Sequence, residues 1–184
     1  LSRGLGDVYK RQSLGNRGVL SDGDVQWMTA GSGIIHQEMP TGNAQGQMHG
    51  FQLWANLPRD QKMCPPRYQD IKSGEINTLT DDDGTHIRVI AGDYRGYRGA
   101  VDGIDTDPSY LDVALPPNTT KRFPFDTRRQ GFAYIFEGSA SFGNASAPFG
   151  VNVEKEFAGE ELKIRDQSGN CLLYTSPSPR DNRV

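Results

Sequence analysis

Short runs of alternating apolar and polar residues extend along most of this chain, and Gly or Pro residues separate one run from the next. The runs are rich in β-branched and aromatic residues, which favour strands, and no longer window repeats its apolar positions with a helical period. Many short strands separated by turn signals are typical of a β-sandwich or β-barrel. The predicted strands cover residues 25–28, 50–56, 86–91, 110–115, 132–137 and 161–165. The pattern therefore predicts an all-β fold with few, short helices.

The stretch from Asp22 to Met39 carries the most distinctive chemistry. Ile34 and Ile35 favour a strand, so His36 and Glu38 are predicted to lie on it or just beyond it. Side chains two positions apart leave the same face of a strand. An imidazole and a carboxylate on one face match the ligand types of the two-histidine, one-carboxylate sites that hold non-haem Fe(II). The alternative is a solvated strand whose polar side chains bind nothing.

Composition excludes several other classes of protein. At 184 residues the chain has room for one large or two small domains. Its formal charge of -3 gives no basic surface for direct contact with nucleic acid. No apolar run approaches the length of a membrane span, and no signal peptide is visible. With only Cys64 and Cys171, a disulfide framework is not expected, which suits a cytoplasmic protein.

Two long segments resemble the pirin family. Residues 13–40, SLGNRGVLSDGDVQWMTAGSGIIHQEMP, are similar to its metal-binding region, and residues 49–71 are similar to the segment that follows. The residues that match in register are Trp27, Met28, His36, Glu38, Trp54, Cys64 and Tyr68. The resemblance implies a bicupin: two tandem cupin (double-stranded β-helix, or jelly-roll) barrels, with one iron in the N-terminal barrel.

The resemblance also implies a set of metal ligands. In the family three histidines and one glutamate hold the iron, and His36 and Glu38 match one histidine and the glutamate. The other two histidines come from a His-x-His motif on an earlier strand, and this chain has no histidine before His36. Fe(II) binding by this chain is therefore expected to be weak or absent. His49 is a candidate substitute ligand, whereas the alternative for His49 and the favoured interpretation of His86 is a solvated or hydrogen-bonded side chain.

The family pattern predicts how the chain is divided. Residues 1–12 and 170–184 look unlike the family and resemble adapter-derived sequence, so we expect the interior of a pirin that is truncated at both ends. Residues 13–73 would be the rest of the N-terminal domain, with half of the metal site. Residues 74–169 would be most of the C-terminal cupin domain. That domain is expected to be metal-free, because residues 127–130 stand where a metal-binding cupin has histidines.

The activity that the resemblance implies is that of a quercetin 2,3-dioxygenase, which opens a flavonol ring with dioxygen and uses Fe(II) as its cofactor. The flavonol would bind through its hydroxyl group. Glu38 is the predicted catalytic residue, because it would both bind the metal and accept the hydroxyl proton.

Two other functions stay open. One is a redox-sensitive, iron-binding regulatory protein without catalysis, with a protein partner bound near Arg59, Lys62 and Arg67. The other is an inactive fragment, since the His-x-His ligands are missing. In either case a monomer without direct contact to nucleic acid or membrane is expected.

The segment that follows His49 has two interpretations. Phe51 and Trp54 either belong to a core strand, which is favoured, or line the metal pocket. Cys64 would be redox-active if it were exposed near Lys62 and Arg67, whereas a packed, inert thiol is the favoured alternative.

Overall fold

The computed structural model describes residues 7–12, 17–42, 49–103, 106–124, 126, 128–129, 131–142, 149–151 and 169–174. Within these ranges the chain forms β-strands and two short 3-10 turns, Arg59–Gln61 and Ser73–Glu75. The predicted all-β class is therefore confirmed. No helix in the described ranges has both the length and the apolar character needed to cross a bilayer.

The chain divides into two compact units, residues 1–120 and residues 121–184. The strands of the first unit are β1 Asp7–Gln12, β2 Arg17–Leu20, β3 Val25–Thr29, β4 His36–Gly42, β5 Arg67–Ile71, β6 Thr78–Thr80, β7 His86–Ala91, β8 Asp93–Tyr94, β9 Tyr97–Arg98 and β10 Tyr110–Ala114. Their antiparallel pairings give the strand orders β2-β1-β4, β10-β7-β6, β3-β5 and β8-β9. In the second unit β11 Gly131–Ile135, β12 Phe149–Val151 and β13 Gly169–Tyr174 form a sheet in the order β11-β13-β12.

The core of the first unit is built on β7, which lies between β10 and β6. Ile87 and Val89 belong to one buried cluster, and Ile90 and Ala91 belong to a second cluster that includes residues of β3 and β5. A strand that is covered on both faces needs a nearly continuous apolar run, and the sequence IRVIA supplies one.

Arg88 is the polar interruption in β7, and it connects three parts of the first unit. Its Nη1 lies 3.5 Å from Oδ2 of the buried Asp112, its cross-strand neighbour on β10. Its Nη2 donates to the carbonyl of Gly23 and lies 3.4 Å from Ser73 Oγ. The turn before β3 is thereby attached to the central sheet, and β3 in turn leads towards β4.

Most of the predicted strands are present. The predictions at 25–28, 86–91, 110–115 and 132–137 are confirmed as β3, β7, β10 and β11. The prediction at 50–56 is wrong, because this segment forms no strand. The prediction at 161–165 lies outside the described residues.

The predicted domain boundary, between residues 73 and 74, stays a prediction. The division into compact units is a separate observation and falls between residues 120 and 121. Parts of the segments 1–12 and 170–184 are described, as β1 and most of β13. The assignment to an N-terminal and a C-terminal cupin domain stays a prediction.

Candidate functional site

Strand β4 begins at His36 and contains Glu38, the two predicted metal ligands. Alternation along an extended strand puts positions 36 and 38 on the same face, about 6.6–6.8 Å apart. The side chain of His36 is exposed, while the side chain of Glu38 lies outside the described part of the chain. The backbone therefore presents the two positions as the sequence predicts, and ligation itself stays a prediction.

Strand β1 lies beside β4 and adds two positions to the same face. Gln12 pairs directly with His36, and Lys10 pairs directly with Glu38. Directly opposed residues of an antiparallel pair share a face, with their Cβ atoms about 4.5–5.5 Å apart. A four-position patch is thus formed by positions 10, 12, 36 and 38. Only its two β4 positions, His36 and Glu38, have side chains of the kinds that commonly bind metal ions.

The described residues do not complete a metal site. Among the side chains that the structure describes, no three or more His, Cys, Asp or Glu residues form a group that could hold a metal ion. His36 and Glu38 account for two of the four ligands that the family resemblance implies. These residues therefore do not fit the complete iron site.

The other two histidines have neighbours of their own. His49 is half-buried, and its ring packs against Phe51 with the ring centroids 5.4 Å apart. His86 is exposed, and its Nδ1 lies 2.8 Å from Thr80 Oγ1, so the prediction of a hydrogen-bonded histidine is confirmed. A substitute ligand role for His49 stays a prediction.

Trp54 does not belong to the core. Its side chain is 85% exposed, so the favoured interpretation of a core strand is wrong for this residue. Alternating apolar positions stabilise a strand only when a neighbouring strand pairs with its backbone, and the described residues give this segment no such partner. Phe51 is half-buried, as is the free thiol of Cys64.

The turn that leads into β4 is held by a distant part of the chain. The amide of Gly33 donates to the carbonyl of Ala30 at 2.9 Å, which closes the turn. The amide of Ser32 donates to the carbonyl of Cys64, also at 2.9 Å. Gly31, between them in the turn, has a positive φ of 51°. The approach to His36 is therefore fixed by contacts that the sequence did not reveal.

Asp24 is a buried carboxylate that holds the turn before β3, a role that was not predicted from the sequence. Burial alone would raise its pKa, but hydrogen bonds from the Ser21 amide at 3.0 Å, Lys72 Nζ at 3.0 Å and the Ser73 amide at 2.8 Å together lower it. The signal in the sequence is the turn at residues 21–24, in which a carboxylate can reach back three residues to an amide. Because protein donors surround it, we assign Asp24 a structural role.

In the second unit, Arg128 and Arg129 form ion pairs with Asp126, and both belong to the segment predicted to stand where a metal-binding cupin has histidines. Arg128 donates from Nε and Nη2 to the two carboxylate oxygens of Asp126, at 3.0 and 2.9 Å. Arg129 Nε lies 3.7 Å from the same carboxylate. The hydrogen bonds from Arg128 are the main cause that lowers the pKa of Asp126 to about 2. This carboxylate is therefore ionised at neutral pH.

Comparison with known proteins gives matches along most of the chain. The family model described as Pirin matches residues 5–55, and so begins within the segment 1–12. A pirin-like protein of Arabidopsis thaliana is 39% identical over 142 residues, which cover 76% of this chain and 45% of that protein. A proposed quercetin 2,3-dioxygenase of Thermoplasma acidophilum is 32% identical over an alignment of 199 positions, which covers 97% of this chain and 75% of that protein. A similarly named protein of Pseudomonas aeruginosa is 36% identical, with 95% of this chain and 63% of that protein covered.

Solved structures resemble the fold. A crystal structure of quercetin 2,3-dioxygenase from Acinetobacter baumannii has a TM-score of 0.55 and 25% identity, and the match covers 95% of this chain and 55% of that one. A second structure of quercetin 2,3-dioxygenase from the same organism has a TM-score of 0.65 at 22% identity, with 95% and 50% of the two chains covered. These likenesses, together with the strand content, confirm the predicted all-β cupin fold. The chain spans about half of the length of these structures.

Proposed function

Because the chain belongs to the pirin family, we propose that it is an iron-binding cupin protein of the quercetin 2,3-dioxygenase type. The observation that carries the proposal is the start of β4, where positions 36 and 38 share one face of the strand. The names of the Pseudomonas aeruginosa and Thermoplasma acidophilum relatives support the same reaction class.

The proposal gives each residue of the pair a role. His36 would bind the metal through one neutral ring nitrogen, and Glu38 would bind it through its carboxylate. The substrate is a flavonol-like small molecule, and Glu38 accepts the proton of its hydroxyl group at a carboxylate oxygen. Iron, when bound, supplies the oxygen chemistry. We also propose that the protein is monomeric and that it is located in the cytoplasm.

We expect the affinity for iron to be low. Groups that merely surround a metal site change its affinity by about 10–100-fold, so the lack of two ligands costs more than that. The residual binding of Fe(II) would depend on both His36 and Glu38, because a single ligand does not compete well with the water molecules that hydrate the ion.

The test is an anaerobic Fe(II) titration of the full chain and of three variants: His36→Ala, Glu38→Gln and His86→Ala. His86 is the matched control, since it is an exposed histidine at the start of a strand with its own hydrogen bond to Thr80. We expect weak binding that both β4 substitutions abolish and that His86→Ala leaves unchanged. A quercetin-decay assay under air then follows on each iron-loaded sample.

The outcomes separate the candidate functions. Iron binding that depends on His36, together with consumption of quercetin, supports the dioxygenase. Iron binding without consumption of quercetin favours the redox-sensitive binding protein. Iron binding that survives His36→Ala contradicts the site.

A further inference from the structure

The contact between the turn at residues 30–33 and Cys64 lies in the register of the β3–β5 pair. Thr29, the last residue of β3, is paired with Arg67, the first residue of β5. Continued outward by three residues on each strand, this register places Ser32 opposite Cys64. The hydrogen bond from the Ser32 amide to the Cys64 carbonyl joins these two positions. One backbone hydrogen bond thus joins the two segments beyond the ends of β3 and β5, at a point close in sequence to the start of β4.

Gly31 makes this close approach feasible. Its φ of 51° lies in the left-handed region, which residues with a Cβ rarely adopt. A Cβ at this position would lie 2.1 Å from the Cys64 carbonyl oxygen and 3.2 Å from the Cys64 Sγ. The first of these distances is far below any real contact, and the obstructing atom belongs to the backbone. A side chain at position 31 would therefore force the turn away from Cys64.

The distance from this contact to the metal-binding position is short. Ile34 and Ile35 are the only residues between the turn and His36. Three residues of extended chain span at most about 10–11 Å. Because the connection is this short, a displacement of the turn would also displace the start of β4.

We propose that Gly31 and the Cys64 carbonyl form a positioning contact that sets where β4 begins and how His36 is presented. Gly31 is a positioning residue, since it acts on His36 through the backbone. The consequence for metal affinity rests on the proposed function, whereas the consequence for the conformation of His36 does not.

The test is the substitution Gly31→Asn in the full chain. Asn tolerates the left-handed region better than other residues with a Cβ, so the added Cβ against the Cys64 carbonyl is the main perturbation. The matched control is Gly96→Asn, because Gly96 also has a positive φ, of 83°, but has no atom within 4 Å of the Cβ position. We expect Gly31→Asn to lower Fe(II) affinity by about tenfold or more, as loss of a group that orients a ligand does. Gly96→Asn is expected to change it by less than about twofold.

Two further readouts separate positioning from loss of structure and from failure of the proposed function. In metal-free protein, Gly31→Asn should shift the imidazole resonances of His36, while amide exchange at Ile87 and Ile90 in the core stays as in the wild type. If the wild type binds no Fe(II), the proposed function fails, and the shift of His36 still supports the positioning contact. A folded Gly31→Asn protein with an unchanged His36 resonance overturns the proposal.

A measurement on the wild type covers the case in which Gly31→Asn does not fold. The Ser32 amide should exchange with solvent at least about tenfold more slowly than in an unstructured peptide, because the Cys64 carbonyl holds it. Exchange of this amide at the unstructured rate would show that the contact does not persist, and would overturn the proposal.

Discussion

Two histidines placed on β1 should turn the four-position patch into a stronger metal site. The perturbation is the double substitution Lys10→His and Gln12→His. Position 10 is paired with Glu38 and position 12 with His36, so the new imidazoles enter on the face of the two proposed ligands. A matched control is Tyr9→His with Arg11→His, which adds two histidines and removes one cation on the opposite face of the same strand.

The expected magnitude follows from the spacing of the patch. Opposed positions are about 4.5–5.5 Å apart at Cβ, and positions two apart on one strand are about 6.6–6.8 Å apart. Ligand nitrogens about 2.0–2.1 Å from a divalent cation are within reach from all four positions. The added histidines are direct ligands, so we expect the affinity for Fe(II) or Zn(II) to rise by more than about 100-fold over the wild type.

The assay is a competition titration with a metal-binding dye, on the wild type and on the two double variants. The β1 pair at positions 10 and 12 should raise the affinity, and the pair at positions 9 and 11 should leave it near the wild-type value. Equal gains in both double variants would contradict a metal site on the face shared by positions 36 and 38, because they would show that added histidines bind metal on either face of β1.

Further predictions concern the stability of the first unit and are read from urea unfolding. Asp24→Ala should lower the free energy of unfolding by about 2–4 kcal/mol at neutral pH, because it removes the buried carboxylate that accepts hydrogen bonds from Ser21, Lys72 and Ser73. The exposed Asp22→Ala should change it by less than about 0.5 kcal/mol. Since the pKa of Asp24 is lowered from 3.8 in the folded state, its contribution is present above that value and is lost as the pH falls through the lowered pKa, so the difference from Asp24→Ala should shrink below about pH 4. Ile87→Ala should cost about 2–5 kcal/mol because Ile87 is fully buried, whereas Ile35→Ala, at a position 80% exposed, should cost less than about 0.5 kcal/mol. Equal effects within either pair would contradict the burial argument.

Strands that pack on both faces were the most predictable part of the fold. The run from Ile87 to Ala91 is apolar except for Arg88, and it lies in the central strand β7, which has the predicted ends. The segment from Gly50 to Asn56 has a comparable content of apolar residues, yet it forms no strand in the described structure. Pairing with a neighbouring strand decides such a case, and a local pattern carries no information about the neighbour.

The candidate site was predictable in part, for a similar reason. The shared face of positions 36 and 38 could be predicted, because residues two apart on a strand point to the same side. The strand itself begins at His36 and leaves out Ile34 and Ile35, the residues from which it was predicted. The contact of Ser32 with Cys64 joins residues far apart in sequence, and depends on the register of β3 with β5. The buried environment of Asp24 has the same origin, since Lys72 and Ser73 reach it from the end of β5. These contacts could not be predicted from the sequence, because they depend on which distant strands pair and in which register.

His36 is the proposed metal ligand of this pirin, and its imidazole can be observed directly beside the other two in the chain. The chain has three histidines, so the ring resonances of His36, His49 and His86 can be followed separately while Fe(II) is added without oxygen. We expect the His36 resonances to broaden first and those of His86 to stay unchanged. If His86 broadens as early as His36, or if His36 stays unchanged at saturating Fe(II), the assignment of β4 as the metal-binding strand is contradicted.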